Sequence, residues 1–489
     1  MRPAKSGPKM SFLDNLTFEA GVVARSVGDY LRGGALRLGV TGLSRSGKTV
    51  FVTALVNNLL AQARLPVFAA SAEGRIAKAQ LDPQPDDAVP RFPYEEHLAA
   101  LAGPERHWPQ STKRISQLRL RIDFERAAGW RQGPARLDLD IVDYPGEWLL
   151  DLTLLDKSYA RWSNETIEAC RAPERAAVAG AWLSHLDGLD PHSAFEEDAA
   201  RAAAALFTDY LRQARADRYA LSTLPPGRFL MPGDLEGSPA LTFAPLSVEE
   251  NAAPAPGSLA AMMQRRYEAY KTYVVNPFFR DHFSRLDRQI VLVDALTALN
   301  SGPAALRDLE NALTEVMRAF RAGRASSFAS IFRPRVDRIL FAATKADHLH
   351  HASHDRLEAI LRVLTAKASA RAKGVGAEID VIALAAVRAT REAIIRHGGE
   401  ELEAIIGTPE PGERIDDQLF DGAAEAAVFP GELPEDPERL FEGDALGLAE
   451  ADNDVRFVRF RPPTFARGAP PPHIRLDRAL QFLMGDRLA

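Results

Sequence analysis

The sequence has little cysteine and lacks a long apolar run. Its 489 residues include one cysteine, Cys170, which excludes an internal disulfide framework and a zinc site built from several cysteines. We expect Cys170 to be a buried apolar side chain in a helix. No apolar run approaches the roughly 20 residues that span a bilayer, and the basic N-terminus lacks the apolar core of a secretory signal. With cysteine this scarce, the sequence predicts a cytoplasmic protein without a transmembrane segment.

A strong excess of one charge is also missing. The chain has 60 Lys and Arg against 66 Asp and Glu, which gives a formal net charge of −6. We therefore expect no nucleic-acid partner and no general electrostatic attraction to an anionic membrane. Apolar residues recur at helical spacing between Phe12 and Leu31, which predicts an amphipathic helix that packs either on its own domain or on lipid.

The patterns that are present predict an α/β fold. Leu36 to Thr41 is a short apolar run that predicts a strand, followed by a glycine-rich loop and a helix over Lys48 to Ala63. Later apolar runs alternate with helical sequence, as in parallel sheets covered by helices on both faces. These runs are Arg288–Leu296, Arg338–Asp347 and Ile379–Thr390. The alternating stretches "SQLRLRIDFERA" and "ARLDLDIVDYPG" predict an antiparallel hairpin, for about six strands in all.

Other segments differ in composition. Prolines in 65–110 predict irregular structure, and alanine-rich helical patterns in 149–283 predict an inserted helical region. Acidic residues dominate 400–454, which predicts a mobile or surface-draped segment, and a strand ("VRFVRF") and an amphipathic helix ("IRLDRALQFLMG") should follow. The predicted division is 1–33, an N-terminal helix; 34–148 and 286–400, two parts of a P-loop domain; 149–285, a helical insertion; and 401–489, an acidic linker with a C-terminal segment packed on that domain.

The stretch "GLSRSGKT" fits the phosphate-loop pattern G-x-x-x-x-G-K-[ST] between a predicted strand and a predicted helix. Its glycines let the backbone wrap the phosphates, while backbone N–H groups face the anionic oxygens. We expect Lys48 to bridge the β- and γ-phosphates and Thr49 to bind Mg²⁺. The expected phosphate-binding residues are Gly42, Ser44, Arg45, Ser46, Gly47, Lys48 and Thr49.

A second motif, "DYPG", ends the predicted hairpin. Asp143 stands where a carboxylate can reach Mg²⁺, and the N–H of Gly146 can contact a γ-phosphate. A threonine that closes on Mg²⁺ is expected between the first helix and the second strand. Thr112 is the candidate and Ser111 the runner-up, and a Ser-Thr pair that caps a strand is the alternative.

The stretch "FAATKAD" predicts which base is bound. It resembles the [NT]-K-x-D motif of Ras-like GTPases, in which the Asp accepts hydrogen bonds from guanine N1–H and the exocyclic amine and the Lys lies along the ring. Thr344, Lys345 and Asp347 match this motif, and adenine lacks that pair of donors. Ala385 and Ala386 follow the next strand, where such proteins place a small residue whose backbone contacts the guanine oxygen. We expect GTP or GDP with Mg²⁺.

The predicted hydrolytic residues depart from the Ras pattern. Glu147 stands where Gln orients the attacking water, and its charge would face a negative phosphate, so we expect slow turnover or another positioning group. Arg45 lies in a loop that resembles that of guanylate-binding proteins, and it either folds over the phosphates as an arginine finger or faces solvent. The candidate catalytic residues are Lys48, Arg45, Glu147 and Thr112.

Four histidines follow the base motif: His348, His350, His351 and His354. His350 and His354 are four residues apart, on one face of a helix, as two metal ligands can be. Hydrogen bonding or helix capping by these side chains is the alternative.

Together the motifs resemble the YcjX-like family of bacterial P-loop proteins. The stretches that carry the resemblance span nearly the whole chain: "GLSRSGKTVFVTALV", "FPYEEHLAAL", "HWPQST", "DYPGEWLLDL", "RQIVLVDAL", "ATKADH", "ALAAVRAT" and "PHIRLDRALQFLMGD". The resemblance implies a GTP-binding protein linked to stress. It also implies a membrane-protein partner, and hence a location peripheral to the inner membrane, although no membrane contact follows from the chemistry of the sequence.

Three functions fit the motifs. The first is a Mg²⁺-dependent GTPase whose flexible loops order with GTP and relax with GDP, so that its affinity for a protein partner changes. The second is a binding module that holds nucleotide without turnover, which Glu147 in place of Gln favours. The third is an ATPase or a P-loop kinase, against which "TKAD" argues.

Overall fold

The structure is a computed structural model that describes residues 35–43, 46–110, 112, 114–127, 133–216, 219–250, 253–319, 336–374, 376–397, 399–415, 418–441, 457–466 and 468–489. The amphipathic helix predicted over 12–31 lies outside these residues, as do Ser44, Arg45 and Ser111. In the described part of the chain, no helix is both long and apolar enough to cross a membrane.

The central sheet has seven strands within the described residues. In chain order they are β1 Leu36–Gly42, β2 Ile76–Asp82, β3 Ser116–Glu125, β4 Pro134–Asp143, β5 Arg288–Val293, β6 Arg338–Ala343 and β7 Glu378–Ala383. Across the sheet their order is β2-β3-β4-β1-β5-β6-β7. The neighbours among β4, β1, β5, β6 and β7 pair in parallel, and β2 and β3 add an antiparallel edge. The predicted α/β fold, a Ras-like P-loop sheet, is confirmed, and so is the β3–β4 hairpin.

Helices follow or separate these strands. In chain order they are α1 Lys48–Leu60, α2 Ala69–Ala72, α3 Tyr94–Ala102, α4 Glu147–Asp151, α5 Tyr159–Arg171, α6 Pro173–Asp187, α7 Glu197–Arg215, α8 Gly227–Leu230, α9 Leu259–Tyr270, α10 Asn276–Asp281, α11 Ala295–Asn300, α12 Pro303–Ala319, α13 His354–Leu364, α14 Ala366–Lys373 and α15 Leu476–Met484. Cys170 is buried in α5, as predicted.

The sheet is covered on both faces. Successive side chains of a strand point to opposite sides, so the apolar residues of one strand pack on both. On β5, Ile290 and Leu292 pack in one apolar cluster with residues of α1 and α15. Val291 and Val293 pack on the other face with residues of α11, α12, α13 and α14. A third apolar cluster joins the helices between α4 and α10. Because β1, β4, β5 and β6 are parallel, their carboxyl ends lie at one edge of the sheet, where ligands bind in sheets of this type.

The prediction of irregular structure in 65–110 is wrong. This segment contains β2 and α3, because its prolines at 83, 85, 90 and 93 lie between these elements and not within them. Of the acidic segment, predicted to be mobile or surface-draped, the structure describes 400–415 and 418–441, which supply two strands of a second sheet. The strands of that sheet in chain order are β8 Arg391–His397, β9 Glu400–Gly407 and β12 Ala426–Val428. A short ribbon lies between the last two: β10 Arg414–Ile415 and β11 Gln418–Leu419.

The prediction of a strand at "VRFVRF" is also wrong. The described residues of this stretch, 457–460, form no strand, and Phe460 makes an isolated bridge with Pro409. The run predicted as one strand to Thr390 ends at Ala383, and β8 begins after it. The predicted C-terminal helix is confirmed as α15.

Candidate nucleotide-binding site

The phosphate loop joins β1 to α1, and Gly47 begins the helix with φ +80°, a conformation that favours glycine. Lys48 is buried and donates from Nζ to the Gly42 carbonyl oxygen at 2.7 Å. The "DYPG" turn packs directly on this loop: a β-carbon added to Gly146 would lie 2.1 Å from the same oxygen of Gly42. The backbone of the turn therefore lies against that of the loop, with no room for a side chain at position 146.

Three side-chain oxygens meet beside the phosphate loop. The Thr112 hydroxyl donates to Asp143 Oδ2 at 2.5 Å and lies 3.2 Å from Thr49 Oγ1. Asp143 is buried, and its Oδ1 has no hydrogen-bond partner among the described residues. Burial raises the pKa of Asp143 to about 6, although Lys48 and the bond from Thr112 oppose the increase.

These residues fit a magnesium ion. Hydroxyl and carboxylate oxygens are the ligands that Mg²⁺ takes, and an unpaired buried carboxylate oxygen is the group that a cation would satisfy. Thr112, which the sequence predicted only as one of two candidates, is thus next to the other two predicted metal ligands.

The base motif follows β6. Lys345 has φ +62°, which is uncommon for a residue other than glycine, and its Nζ lies 2.5 Å from Asp294 Oδ2 at the end of β5. Although burial alone raises the pKa of Asp294, Lys345 and Thr297 hold it below the usual value. Asp347 is buried, and its Oδ2 accepts a hydrogen bond from the Ala389 N–H at 2.8 Å. The carboxylate is therefore held in a fixed orientation.

One cavity of about 290 Å³ connects the phosphate loop to the base motif. Predicted residues that line it are Ser46, Gly47, Lys48, Thr49, Thr112, Thr344, Lys345, Asp347, Ala385 and Ala386. Asp143 is joined to these residues by its hydrogen bond with Thr112. Gly146 lies against the carbonyl group of Gly42, and the Glu147 side chain lines a different cavity.

One wall of this cavity was not predicted from the sequence. Trp108 donates from Nε1 to the Phe460 carbonyl oxygen at 2.7 Å, and the Phe460 ring meets His348 edge to face with centroids 5.5 Å apart. Glu410 and Arg459 also line the cavity. The stretch "HWPQST" carried the family resemblance, but no local pattern indicated that residues near 460 approach the base motif.

Glu147 faces the helical region. Its Oε1 lies 3.2 Å from Arg215 Nη1 at the end of α7, and both residues line a separate cavity of about 60 Å³. Glu147 is buried, and its Oε2 has no hydrogen-bond partner among the described residues. In this arrangement the carboxylate does not line the cavity that holds Lys48 and Asp347.

Helix α4, which follows the "DYPG" turn, is attached to the helical region by buried polar contacts. Asp151 accepts from the Gly227 N–H and from the Tyr270 hydroxyl, both at 2.6 Å. The Arg228 guanidinium lies 3.1 Å from the centre of the Trp148 ring. These contacts attach α4, which directly follows Gly146, to the helical region.

The four histidines have different surroundings. His348 is buried, which lowers its pKa, and it lines the cavity. His354 begins α13, and its Nε2 bonds the Ala346 carbonyl oxygen at 2.8 Å. Among the described residues, His350 forms a possible ligand group with His351 and Glu392, and not with His354.

The chain is similar over most of its length to known proteins. A family model described as "YcjX-like family, DUF463" matches residues 36–488. A protein of Escherichia coli (strain K12) named "Ras-like GTPase YcjX" is 41% identical over 465 residues, which cover 93% of this chain and 96% of that protein. A protein of Shewanella oneidensis (strain MR-1) with the same name is 33% identical over 478 residues, which cover 93% and 94%.

Proposed function

Because the chain belongs to the YcjX-like family, as its motifs predicted, we propose that it binds GTP and GDP with Mg²⁺ and hydrolyses GTP slowly. The observation that carries the proposal is the single cavity lined by both Lys48 and Asp347. A nucleotide whose phosphates contact the loop at Lys48 would have its base beside Asp347. The relatives named as Ras-like GTPases support the same nucleotide.

Each residue has a task in this proposal. Lys48 and the N–H groups of the phosphate loop neutralise and orient the phosphates. Thr49, Thr112 and Asp143 would hold Mg²⁺, which withdraws charge from the phosphate oxygens when it is bound. Gly146 would offer its N–H to the γ-phosphate.

At the other end of the cavity, Asp347 accepts the two guanine donors. The Ala385 N–H already donates to the Ile474 carbonyl oxygen at 3.2 Å. We therefore assign the contact with the guanine carbonyl oxygen to the N–H of Ala386. Adenine has an acceptor at N1 and no amine at C2, so it would offer the Asp347 carboxylate neither of the two donors that guanine supplies.

Calorimetric titration of GTP, GDP and ATP tests the nucleotide. The wild type should bind both guanine nucleotides at least about 100-fold more tightly than ATP. Asp347→Ala should lose this preference, whereas Asp355→Ala, an exposed carboxylate eight positions further along, should keep it. Equal affinities of the wild type for ATP and GTP would overturn the base assignment. Thr49→Ala should weaken the dependence of GTP binding on Mg²⁺.

A second candidate function is nucleotide binding without turnover. The observation that favours it is the pairing of Glu147 with Arg215, away from the cavity. Release of phosphate in a single turnover separates the two functions. Slow release of phosphate that Lys48→Ala abolishes supports the GTPase. Phosphate release no faster than the hydrolysis of GTP in water supports the binding module.

The family resemblance extends the proposal to a switch in a bacterial stress response. In this scheme GTP and GDP change the position of Gly146, and α4 passes the change to the helical region, where a protein partner binds. Capture experiments on protein loaded with a non-hydrolysable GTP analogue or with GDP test it. A partner retained equally by both forms would contradict the switch.

A further inference from the structure

Two neighbouring histidines lie against a glutamate of the second sheet. One ligand atom each from His350, His351 and Glu392 lies within 4.8 Å of the others. His351 Nδ1 is 2.9 Å from Glu392 Oε2, and the two imidazole rings have centroids 4.3 Å apart. Two imidazole nitrogens and one carboxylate oxygen are a ligand set that zinc accepts.

The surroundings orient this group. Glu392 Oε1 accepts from Arg388 Nη2 at 3.0 Å, which leaves Oε2 directed at His351. A second carboxylate oxygen, Glu403 Oε2 on β9, lies 3.4 Å from His350 Nδ1. Ligand atoms of a tetrahedral zinc ion are about 3.3 Å apart, which follows from bonds of about 2 Å. The observed separations need only small side-chain rotations to reach that geometry.

The group is also accessible. The His350 side chain is buried, whereas that of His351 is 66% exposed, so an ion has a path from solvent. A pair of one histidine and one glutamate would account for His351 and Glu392 alone. The buried His350 Nδ1 accepts from the Ala352 N–H at 3.5 Å, which is longer than an ordinary hydrogen bond, and it lies beside the second carboxylate, that of Glu403.

We propose that His350, His351 and Glu392 bind a divalent ion of the zinc class, with Glu403 or water as the fourth ligand. Such an ion connects the loop that follows Asp347 to strand β8. Asp347 itself accepts hydrogen bonds from Ala389 and Thr390, which immediately precede β8. The ion therefore restrains both chain segments that hold the Asp347 carboxylate.

Zinc binding tests the site directly. The full chain, free of any histidine tag and stripped with a chelator, is titrated with Zn²⁺ by calorimetry and with Co²⁺ by visible absorption. One ion per chain and the absorption bands of tetrahedral Co²⁺ are expected. His351→Ala and Glu392→Gln should each weaken binding by about 10- to 100-fold. His192→Ala removes an exposed histidine in the helical region and should leave binding unchanged.

Either of two results would overturn the site: no zinc binding by the wild type, or unchanged zinc affinity in both His351→Ala and Glu392→Gln. Circular dichroism shows whether the variants fold.

The effect on nucleotide is measured separately, because it rests on the proposed function whereas zinc binding does not. Zinc should slow GDP release from the wild type several-fold and leave the rate unchanged in Glu392→Gln. Unchanged GDP release with zinc bound would overturn the link to Asp347 but not the site. Absence of any GDP binding would instead overturn the proposed function.

Discussion

Glu147 and Arg215 form an ion pair with 3.2 Å between Oε1 and Nη1, although 68 positions separate them in the chain. The pair joins the residue after the "DYPG" turn to the end of α7. The Glu147 side chain is 6% exposed, so the Arg215 guanidinium replaces contacts that water would otherwise make with the carboxylate.

Arg215→Ala should therefore lower the free energy of unfolding by about 1–3 kcal/mol, because it leaves a buried carboxylate unpaired. Arg212→Ala is the control: Arg212 lies on the same helix, 60% exposed, and pairs with Asp209 at the surface. Its effect should stay within about 0.5 kcal/mol. Urea unfolding of the two variants measures the difference, and equal effects would contradict the role of the pair.

Asp143 should destabilise the protein in the absence of Mg²⁺. A pKa raised from 3.8 to about 6 means that the folded state holds its proton more tightly than the unfolded state. The cost of the buried charge is thus fully present above about pH 6, where it reaches roughly 3 kcal/mol, and it disappears as the pH falls to 3.8. Asp143→Asn should raise the melting temperature without Mg²⁺ at neutral pH and not at a pH near 3.8.

The same variant should lose Mg²⁺-dependent nucleotide binding, because the amide cannot supply the charge. A stabilising substitution that abolishes binding is the signature of a residue kept for function. If Asp143→Asn lowered the melting temperature at neutral pH, the burial argument would be wrong.

The predictions from sequence succeeded where a motif is continuous in the chain. Lys48 and Thr49 follow a strand and begin a helix, so local pattern alone placed them at the edge of the sheet. Phe460 and Trp108 could not be predicted, since they meet only because packing brings together residues 352 positions apart. The orientation of Glu147 also depends on a distant partner. Strand β2 could not be predicted because prolines follow it closely in the chain, although they only flank its residues.

Gly146→Ala should disrupt the phosphate loop. The new β-carbon would lie 2.1 Å from the Gly42 carbonyl oxygen, so one of the two backbones must shift. We expect a loss of about 1–3 kcal/mol in stability together with weaker GTP binding. Gly180→Ala is the matched control: that position is exposed in α6 with nothing within 4 Å of the added carbon, and it should gain about 0.5–1 kcal/mol. Thermal unfolding should therefore give opposite signs, and the same sign for both would refute the packing argument.

Trp108 should report on nucleotide binding. It lines the cavity, whereas Trp182 is buried in the third apolar cluster among the helices. Addition of GDP should change the tryptophan emission of the wild type and of Trp182→Phe, and should change that of Trp108→Phe much less. An equally large change in Trp108→Phe would place the base away from this wall.

The most direct test of a guanine base at Asp347 is the substitution Asp347→Asn, with GDP and xanthosine diphosphate titrated against both proteins. Xanthine carries a carbonyl oxygen where guanine carries its amine, and an asparagine amide can donate to that oxygen. The account predicts that the variant loses GDP affinity by about 100-fold or more and binds the xanthine nucleotide better than the wild type does. Unchanged GDP affinity, with no gain for xanthosine diphosphate, would contradict it.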